Sequence, residues 1–359
     1  MQTTNFLVHT QDFSQSKFDS QQLPELDNNQ ILFQIEKYAF TSNNITYAVT
    51  GHQLKYWKFF PAEKPWGRVP AWGYAKVVAS KHPDVQEGMR FYGYLPMSSY
   101  LVVEADKVTP YGFKDMTSHR QEMAAIYNFY TSTAHDPAFH PQWEDYIPII
   151  RPLFATSFLS YHFLKDEAFF QTDNILLTSA SSKTALGLAF MLKQQQAEDK
   201  KQIIGLTSAR NKEFVEKTGF YDLVIAYDKM SDDLPTQRSI IVDFAGNSQL
   251  MIDIHSKLGE QLLYISRIGL TDWQGGSVVF RHPNSHFFFA PTQAQKMYKA
   301  KGVQETNLQI GQLMQAFVMQ IQSWMELSYV EGNTALQSLY QNMLSGDVNP
   351  KMGYIVRIS

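Results

Sequence analysis

One stretch of the chain combines small residues, hydroxyls and a cation at the spacing of a phosphate-binding turn: Leu177-Thr178-Ser179-Ala180-Ser181-Ser182-Lys183-Thr184-Ala185-Leu186-Gly187. In a dinucleotide-binding turn, small side chains let backbone N–H groups approach a pyrophosphate at a helix N-terminus. Ser179, Ser182 and Ala185 fall where G-x-x-G-x-x-A would place its small residues, with Ser and Ala standing in for the glycines. A serine-capped helix after a strand gives the same pattern, so two readings stay open. Lys183-Thr184 does not make a P-loop, because the required glycine before the lysine is missing. A second stretch, Thr207-Ser208-Ala209-Arg210-Asn211-Lys212, lies at the interval after the turn where a ribose is read. A free 2′-hydroxyl is usually met there by a carboxylate. This stretch has none and offers two hydroxyls and two cations, which match a 2′-phosphate and favour NADP over NAD. A solvated polar helix start would look alike.

Two further groups carry weaker signals. His135-Asp136-Pro137-Ala138-Phe139-His140 gathers two histidines and an acid, but Pro137 and Pro141 make a turn the simpler reading than a metal site. Gly-x-Ser-x-Gly is absent, and no Ser-His-Asp order can be defended.

These residues need elements to position them. From about residue 150 the chain alternates short unbroken apolar runs with helical spacing. Ile175–Thr178, Ile203–Leu206, Leu223–Ile225, Ile240–Val242 and Leu262–Ile265 are the runs, and Ala185 to Lys193 repeats apolar residues four apart. Strands without polar alternation, joined by helices, predict a doubly wound parallel sheet. The first 110 residues read differently: Ile31, Phe33 and Ile35 alternate with neighbours, and short runs recur at Tyr74–Ala79, Arg90–Leu95 and Ser99–Val103 between turn signals. That spacing predicts a barrel or strongly bent sheet. Near the end, Leu313, Phe317, Ile321 and Trp324 make an amphipathic helical stripe, which leaves packing and a homodimer interface both open. The closing Gly353-Tyr354-Ile355-Val356-Arg357-Ile358 reads as a strand returning to the first domain.

Composition bounds the chemistry. The 359 residues suggest two domains, and 31 Lys and Arg against 34 Asp and Glu give a net charge of −3, which argues against a nucleic-acid partner. There is no cysteine, so disulfides, thiolate chemistry and cysteine-ligated zinc or iron–sulfur clusters are excluded. The 25 Phe, 19 Tyr and 6 Trp point to packed interiors and surfaces for flat ligands. No secretory-type start and no run of 18 apolar residues occurs, so no membrane partner and a cytoplasmic location are expected.

Ile203 to Tyr227, IIGLTSARNKEFVEKTGFYDLVIAY, resembles the nucleotide-binding half of the medium-chain dehydrogenase/reductase superfamily, in its zinc-independent quinone-reductase-like branch. Asn43–Tyr47 with Gly51, Val69–Val78 and Gly88–Gly93 fall in the order of that superfamily's N-terminal barrel signatures, and GYIVRI resembles its last strand. RPLFATS at 151–157 and SASSKTA at 179–185 depart from it and resemble a poorly characterised bacterial and fungal offshoot.

The resemblance implies a GroES-like β-barrel domain at 1–130 and 310–359 and a Rossmann domain at 131–309. It makes Ser179, Ser182, Lys183 and Thr184 pyrophosphate candidates, and Thr207, Ser208, Arg210 and Lys212 candidates for the adenosine phosphate, with Tyr227 beside the adenine. The strand ends carrying Gly246 and Gly269 would lie toward the nicotinamide, with Phe287–Ala290 a strand whose backbone meets the carboxamide. Asn44 and Tyr47 come from the segment that faces the nicotinamide in the relatives, and are the expected polar pair for polarising and protonating an acceptor. Packing alone would equally explain Tyr47. Thr156 or Ser157 would contact the cofactor and Arg151 an anionic substrate, although an Arg-Pro helix start reads the same way. With no cysteine, both zinc sites of the superfamily are lost and no metal is expected. The implied activity is NADPH-dependent reduction of a quinone or carbonyl-conjugated double bond in an interdomain cleft, on a small-molecule substrate. A non-catalytic NADP-binding or sensor protein is the alternative.

Overall fold

The computed structural model describes residues 1–195, 201–268 and 280–358, and the chain divides into two compact units: Met1–Arg151 with Val318–Ser359, and Pro152–Phe317. The sequence-based boundaries were 130/131 and 309/310.

In the first unit, β1 (Gln2–His9) pairs with β2 (Ser16–Gln22) and β4 (Trp66–Arg68) in a small antiparallel sheet. The barrel consists of β3 (Gln30–Phe40), β5 (Pro70–Ser80), β6 (Arg90–Pro96), β9 (Phe129–Ser132), β8 (Gly112–Asp115) and β7 (Tyr100–Thr109), taken in spatial order. It closes because residues 30–34 of β3 pair antiparallel with β7 while the other edge of β3 pairs with β5. The alternation read in β3 puts Ile31, Phe33 and Ile35 inside, and Phe33 meets the rings of Phe91, Phe113 and Tyr130. Closing the sheet leaves this ring cluster as its core. Two late strands, β16 (Glu326–Glu331) and β17 (Met352–Arg357), extend the sheet. β17 pairs antiparallel with residues 38–40 of β3, so the end of the chain returns to the first unit. Helix α1 (Ser42–Val49) follows β3 directly.

The second unit is a six-stranded sheet in which every neighbour is parallel: β10 (Asn174–Leu177), β11 (Gln202–Thr207), β12 (Leu223–Ala226), β13 (Ser239–Asp243), β14 (Leu262–Arg267) and β15 (Ser285–Phe287). The order β12-β11-β10-β13-β14-β15 reverses direction at β10, the 3-2-1-4-5-6 arrangement of a Rossmann sheet, whose switch point lies at the carboxyl ends of its first and fourth strands. The unbroken apolar runs of the sequence are these strands, with Leu176, Ile204, Ile241 and Ile265 buried in one core. The helices include α2 (Ile147–Asp166), α3 (Lys183–Gln195), α4 (Ala209–Lys217), α5 (Met230–Asp233) and α6 (Ser248–Leu258). The two-domain α/β fold expected from the sequence is therefore the fold observed.

Two local readings are corrected. Pro152 does not start a helix; it lies inside α2, which begins at Ile147. Phe287–Ala290 is not a strand either, because β15 ends at Phe287 and Ala290 opens the next helix, Ala290–Lys301. Of the helical stripe, Phe317 and Ile321 are buried, and Leu313 and Trp324 are half-buried. Among the described residues no helix is long and apolar enough to cross a membrane.

Candidate functional site

At the carboxyl end of β10 the chain turns sharply, and nearly every polar group in the turn has a partner. The Thr178 hydroxyl donates to Asp243 Oδ1 at 2.7 Å and accepts the N–H groups of Phe244 (2.9 Å) and Ala245 (3.0 Å) at the end of β13. Ser179 adopts a left-handed conformation, φ +46°, where a glycine would be expected. Its N–H donates to the Tyr227 hydroxyl at 2.8 Å. Ala180 donates to the Leu206 carbonyl (3.0 Å) and accepts from the Tyr221 hydroxyl (2.9 Å). Ser182 then caps α3: its Oγ accepts the Ala185 N–H (3.3 Å) and its carbonyl the Leu186 N–H (2.9 Å).

Small residues are required here by contact. A Cβ on Gly205 of β11 would come within 2.9 Å of Tyr221 and 3.0 Å of Ala180. One on Gly187 of α3 would come within 2.7 Å of Ser157 Oγ. Ser157 is fully buried and donates to the Thr184 carbonyl at 2.7 Å, tying α2 to the first turn of α3, whereas Thr156 bonds within its own helix to Pro152. Lys183 is the first residue of α3, half-buried, and desolvation pushes its ammonium down to about 8. Asp243 is buried, and burial raises its carboxyl above the usual carboxylate range against the pull of the Thr178 hydroxyl. Gly246 donates to the same carboxylate at 3.1 Å.

The end of β11 leads into α4. Thr207 is buried, and Ser208 precedes α4 with its Oγ buried and unpartnered. Arg210 is exposed, and Lys212 lies 3.8 Å from Glu216 one turn on. The Asn211 amide donates to Ser181 Oγ at 3.1 Å, joining the two segments expected to meet one nucleotide. Hydrogen bonds thus join Ser179 to Tyr227, tie the segment of Ser208 and Arg210 to that of Ser182 and Lys183 through Asn211 and Ser181, and link Gly246 to the turn through Asp243 and Thr178. The Tyr227 hydroxyl holds the Ser179 amide. Gly269 lies outside the described residues.

In the first unit, Asn44 and Tyr47 stand on α1. Both ends of the Asn44 amide are engaged: Oδ1 accepts the Thr41 N–H (2.7 Å) and Nδ2 donates to the Pro70 carbonyl (2.8 Å), which fixes the helix start on β5. Tyr47 packs among Tyr56, Phe59, Phe60 and Tyr94, and its hydroxyl accepts the Trp72 indole N–H at 3.3 Å. Burial, reinforced by Tyr56, holds this phenol well above its ordinary value, so it keeps its proton. The Tyr92 and Tyr94 hydroxyls are buried there without partners. Arg151 was expected to meet an anionic substrate. Its guanidinium is instead paired with Asp136 at 2.7 Å and lies 4.6 Å from the centre of the Tyr92 ring, so its charge is already met. Asp136 is thereby occupied, and His140 accepts the Gln142 N–H in a turn. Among the described residues no three His, Asp or Glu gather as a metal site.

A family model described as "Protein of unknown function (DUF2855)" matches residues 38–349. The chain belongs to that family. Among proteins of curated function none matches it in sequence. Solved structures do match in fold. CurA in complex with NADPH, from Vibrio vulnificus, superimposes with a TM-score of 0.65 at 11% identity over 99% of each chain. The quinone oxidoreductase from Coxiella burnetii gives 0.57 at 12% over the whole of both chains. The yhdH oxidoreductase from Salmonella enterica in complex with NADP gives 0.53 at 12%, over 99% of this chain and 100% of that one.

Sequence reasoning missed Asn211, Tyr221 and the Thr178–Asp243 pair. Only the last had a local signal, an acid ending an apolar strand.

Proposed function

We propose that this DUF2855 protein is an NADPH-dependent, zinc-independent oxidoreductase that reduces a quinone or a carbonyl-conjugated double bond. The observation that carries the reading is the end of β11, where a buried unpartnered Ser208 hydroxyl stands beside Arg210 and no carboxylate occurs from Thr207 to Lys212. A ribose 2′-phosphate needs donors and positive charge at that place. The residues also fit the rest of the dinucleotide: the turn at Ser179 leads into α3, whose N-terminus favours a pyrophosphate, and Lys183 adds a cation to its first turn. CurA and the yhdH oxidoreductase, which share the fold, were solved with NADPH and NADP.

Bound NADPH would supply a hydride. The chain's own part is to hold the phosphates through Ser182, Lys183, Ser208 and Arg210, and to offer the Tyr47 phenol as a hydrogen-bond donor to an acceptor's carbonyl oxygen. Because the Trp72 indole can only donate, the Tyr47 oxygen accepts from it and its own proton is directed elsewhere. With no cysteine in the chain, a cysteine-ligated zinc has no ligands here.

Titration calorimetry with NADPH and NADH, followed by NADPH oxidation with a panel of quinones and enones, tests the reading. NADPH binds more tightly than NADH, and Arg210→Ala with Lys212→Ala weakens NADPH on the order of tenfold while leaving NADH unchanged. Equal loss of both would remove the 2′-phosphate assignment. Tight binding without turnover on any acceptor would favour the non-catalytic NADP-binding alternative, and no binding of either would end both.

A further inference from the structure

Ser179 holds a left-handed backbone that side chains other than Gly, Asn and Asp seldom adopt, so something must hold it there. Two tyrosine hydroxyls bond to this turn. The Tyr227 oxygen, 48 residues away in sequence, accepts the Ser179 N–H at 2.8 Å, and the Ser179 side chain also reaches this phenol. The Tyr221 hydroxyl donates to the carbonyl of the next residue, Ala180, at 2.9 Å. Tyr221 has room for this because Gly205 beneath it lacks a side chain. Consecutive residues of the turn are thus gripped, one at its N–H and the next at its C=O. A glycine-rich turn needs no such grip, because glycine takes the left-handed conformation without steric cost.

We propose that Tyr227 and Tyr221 are positioning residues that replace the missing glycines, their hydroxyls holding Ser179 and Ala180 in the shape that presents the start of α3 to a dinucleotide pyrophosphate. This rests on the NADPH reading above. It gives Tyr227 a role in shaping the loop in place of a place beside the adenine. It also takes the Ser179 amide out of the set offered to phosphate, and because the Ser182 N–H is given to the Ser179 carbonyl at 2.8 Å, the loop's contribution rests on Ser181, the Ser182 hydroxyl and Lys183.

The test uses Tyr227→Phe, which keeps the ring and removes the hydroxyl, with two readouts on the whole chain. Amide hydrogen exchange at Ser179, measured without ligand, reads the grip itself, and NADPH calorimetry reads its consequence. Tyr227→Phe speeds exchange at Ser179 and weakens NADPH about tenfold, the scale of one hydrogen bond. Adding Ser179→Gly to that variant restores affinity to within about threefold, because glycine needs no support there. Unchanged exchange in Tyr227→Phe would overturn the proposal, and so would a loss of affinity that Ser179→Gly leaves unrepaired, which would mean direct contact with the nucleotide. Tyr221→Phe, which releases the loop from the carbonyl side, gives the same two readouts if Tyr227→Phe does not fold. Faster exchange in a protein whose wild type binds no dinucleotide would keep the grip and remove the NADPH reading, so the two failures are told apart.

Discussion

The barrel unit and the Rossmann unit hold their irregular segments with different chemistry. In the barrel unit, the stretch from Asp115 to Tyr130 is tied by one cation, Arg120, whose side chain is 1% exposed. It donates to Asp115 Oδ2 (2.9 Å), Asn128 Oδ1 (3.1 Å), the Tyr130 hydroxyl (2.9 Å) and the Tyr127 carbonyl. In the Rossmann unit the turn from Thr178 to Ser182 is held by hydroxyls of Thr178, Tyr221 and Tyr227, with Asp243 the one charged group among them. A buried charge with several partners behaves as a single staple, because removing it strands every group it served. Hydroxyl supports are separable, each worth about 1 kcal/mol net, so one can fail while the turn survives. That suits a segment that, on the proposed NADPH reading, accepts and releases a ligand.

Breaking the staple is the largest effect expected. Arg120→Met leaves the Asp115 carboxylate, itself 1% exposed, without its counter-charge, and should cost about 3–5 kcal/mol in urea unfolding. A loss below about 1 kcal/mol, the scale of a hydroxyl support, would erase the distinction between the two units.

Thr178→Val probes the one charged group of the turn and should cost about 1–3 kcal/mol, because Asp243 loses a donor and the Phe244 and Ala245 amides lose an acceptor. The effect has a pH signature. Burial lifts the Asp243 carboxyl above its unfolded value while the Thr178 hydroxyl opposes the lift. The folded state then binds the proton more tightly than the unfolded state, so stability falls as pH rises from about 4 through the folded value. Removing the hydroxyl lifts the carboxyl further, and the deficit of Thr178→Val widens as pH rises above about 4. Thermal midpoints from acid to neutral pH check this; a deficit constant with pH would mean that Asp243 does not feel the hydroxyl.

What the sequence made legible was local. Unbroken apolar runs announced β10 to β14, the two-residue alternation announced β3, and the small residues from Ser179 to Ala185 marked the turn at β10. The missing acid after β11 was also readable, because it depends only on which residues follow a strand. The supports were not readable. Ser179 and Tyr227 are 48 positions apart, Thr178 and Asp243 65 apart, and periodicity says nothing about which tyrosine of 19 reaches which amide. Arg151 shows the converse error: a cation in a plausible place looked available until its partner Asp136 came from a loop 15 residues earlier. Asn44 likewise looked chemical, yet its amide is occupied at the start of α1, a role that its position three residues after Thr41 could have suggested.

The smallest effect expected concerns Lys183, the first residue of α3. Desolvation holds its ammonium down at about 8, so at neutral pH it is mostly charged and above that value it is mostly neutral. A depressed base that meets a phosphate is pulled back toward its charged form, so binding takes up a proton above pH 8 and NADPH affinity falls as pH climbs through that range. Lys183→Met removes the group that titrates. Its affinity should be a few-fold below wild type near neutral pH, within the range of one partly exposed charge, and the two should approach each other by about pH 9. Calorimetric titrations at several pH values decide it. Parallel profiles, with the same ratio at every pH, would assign the pH dependence to the 2′-phosphate side of the site and leave the turn at β10 held, and working, by hydroxyls alone.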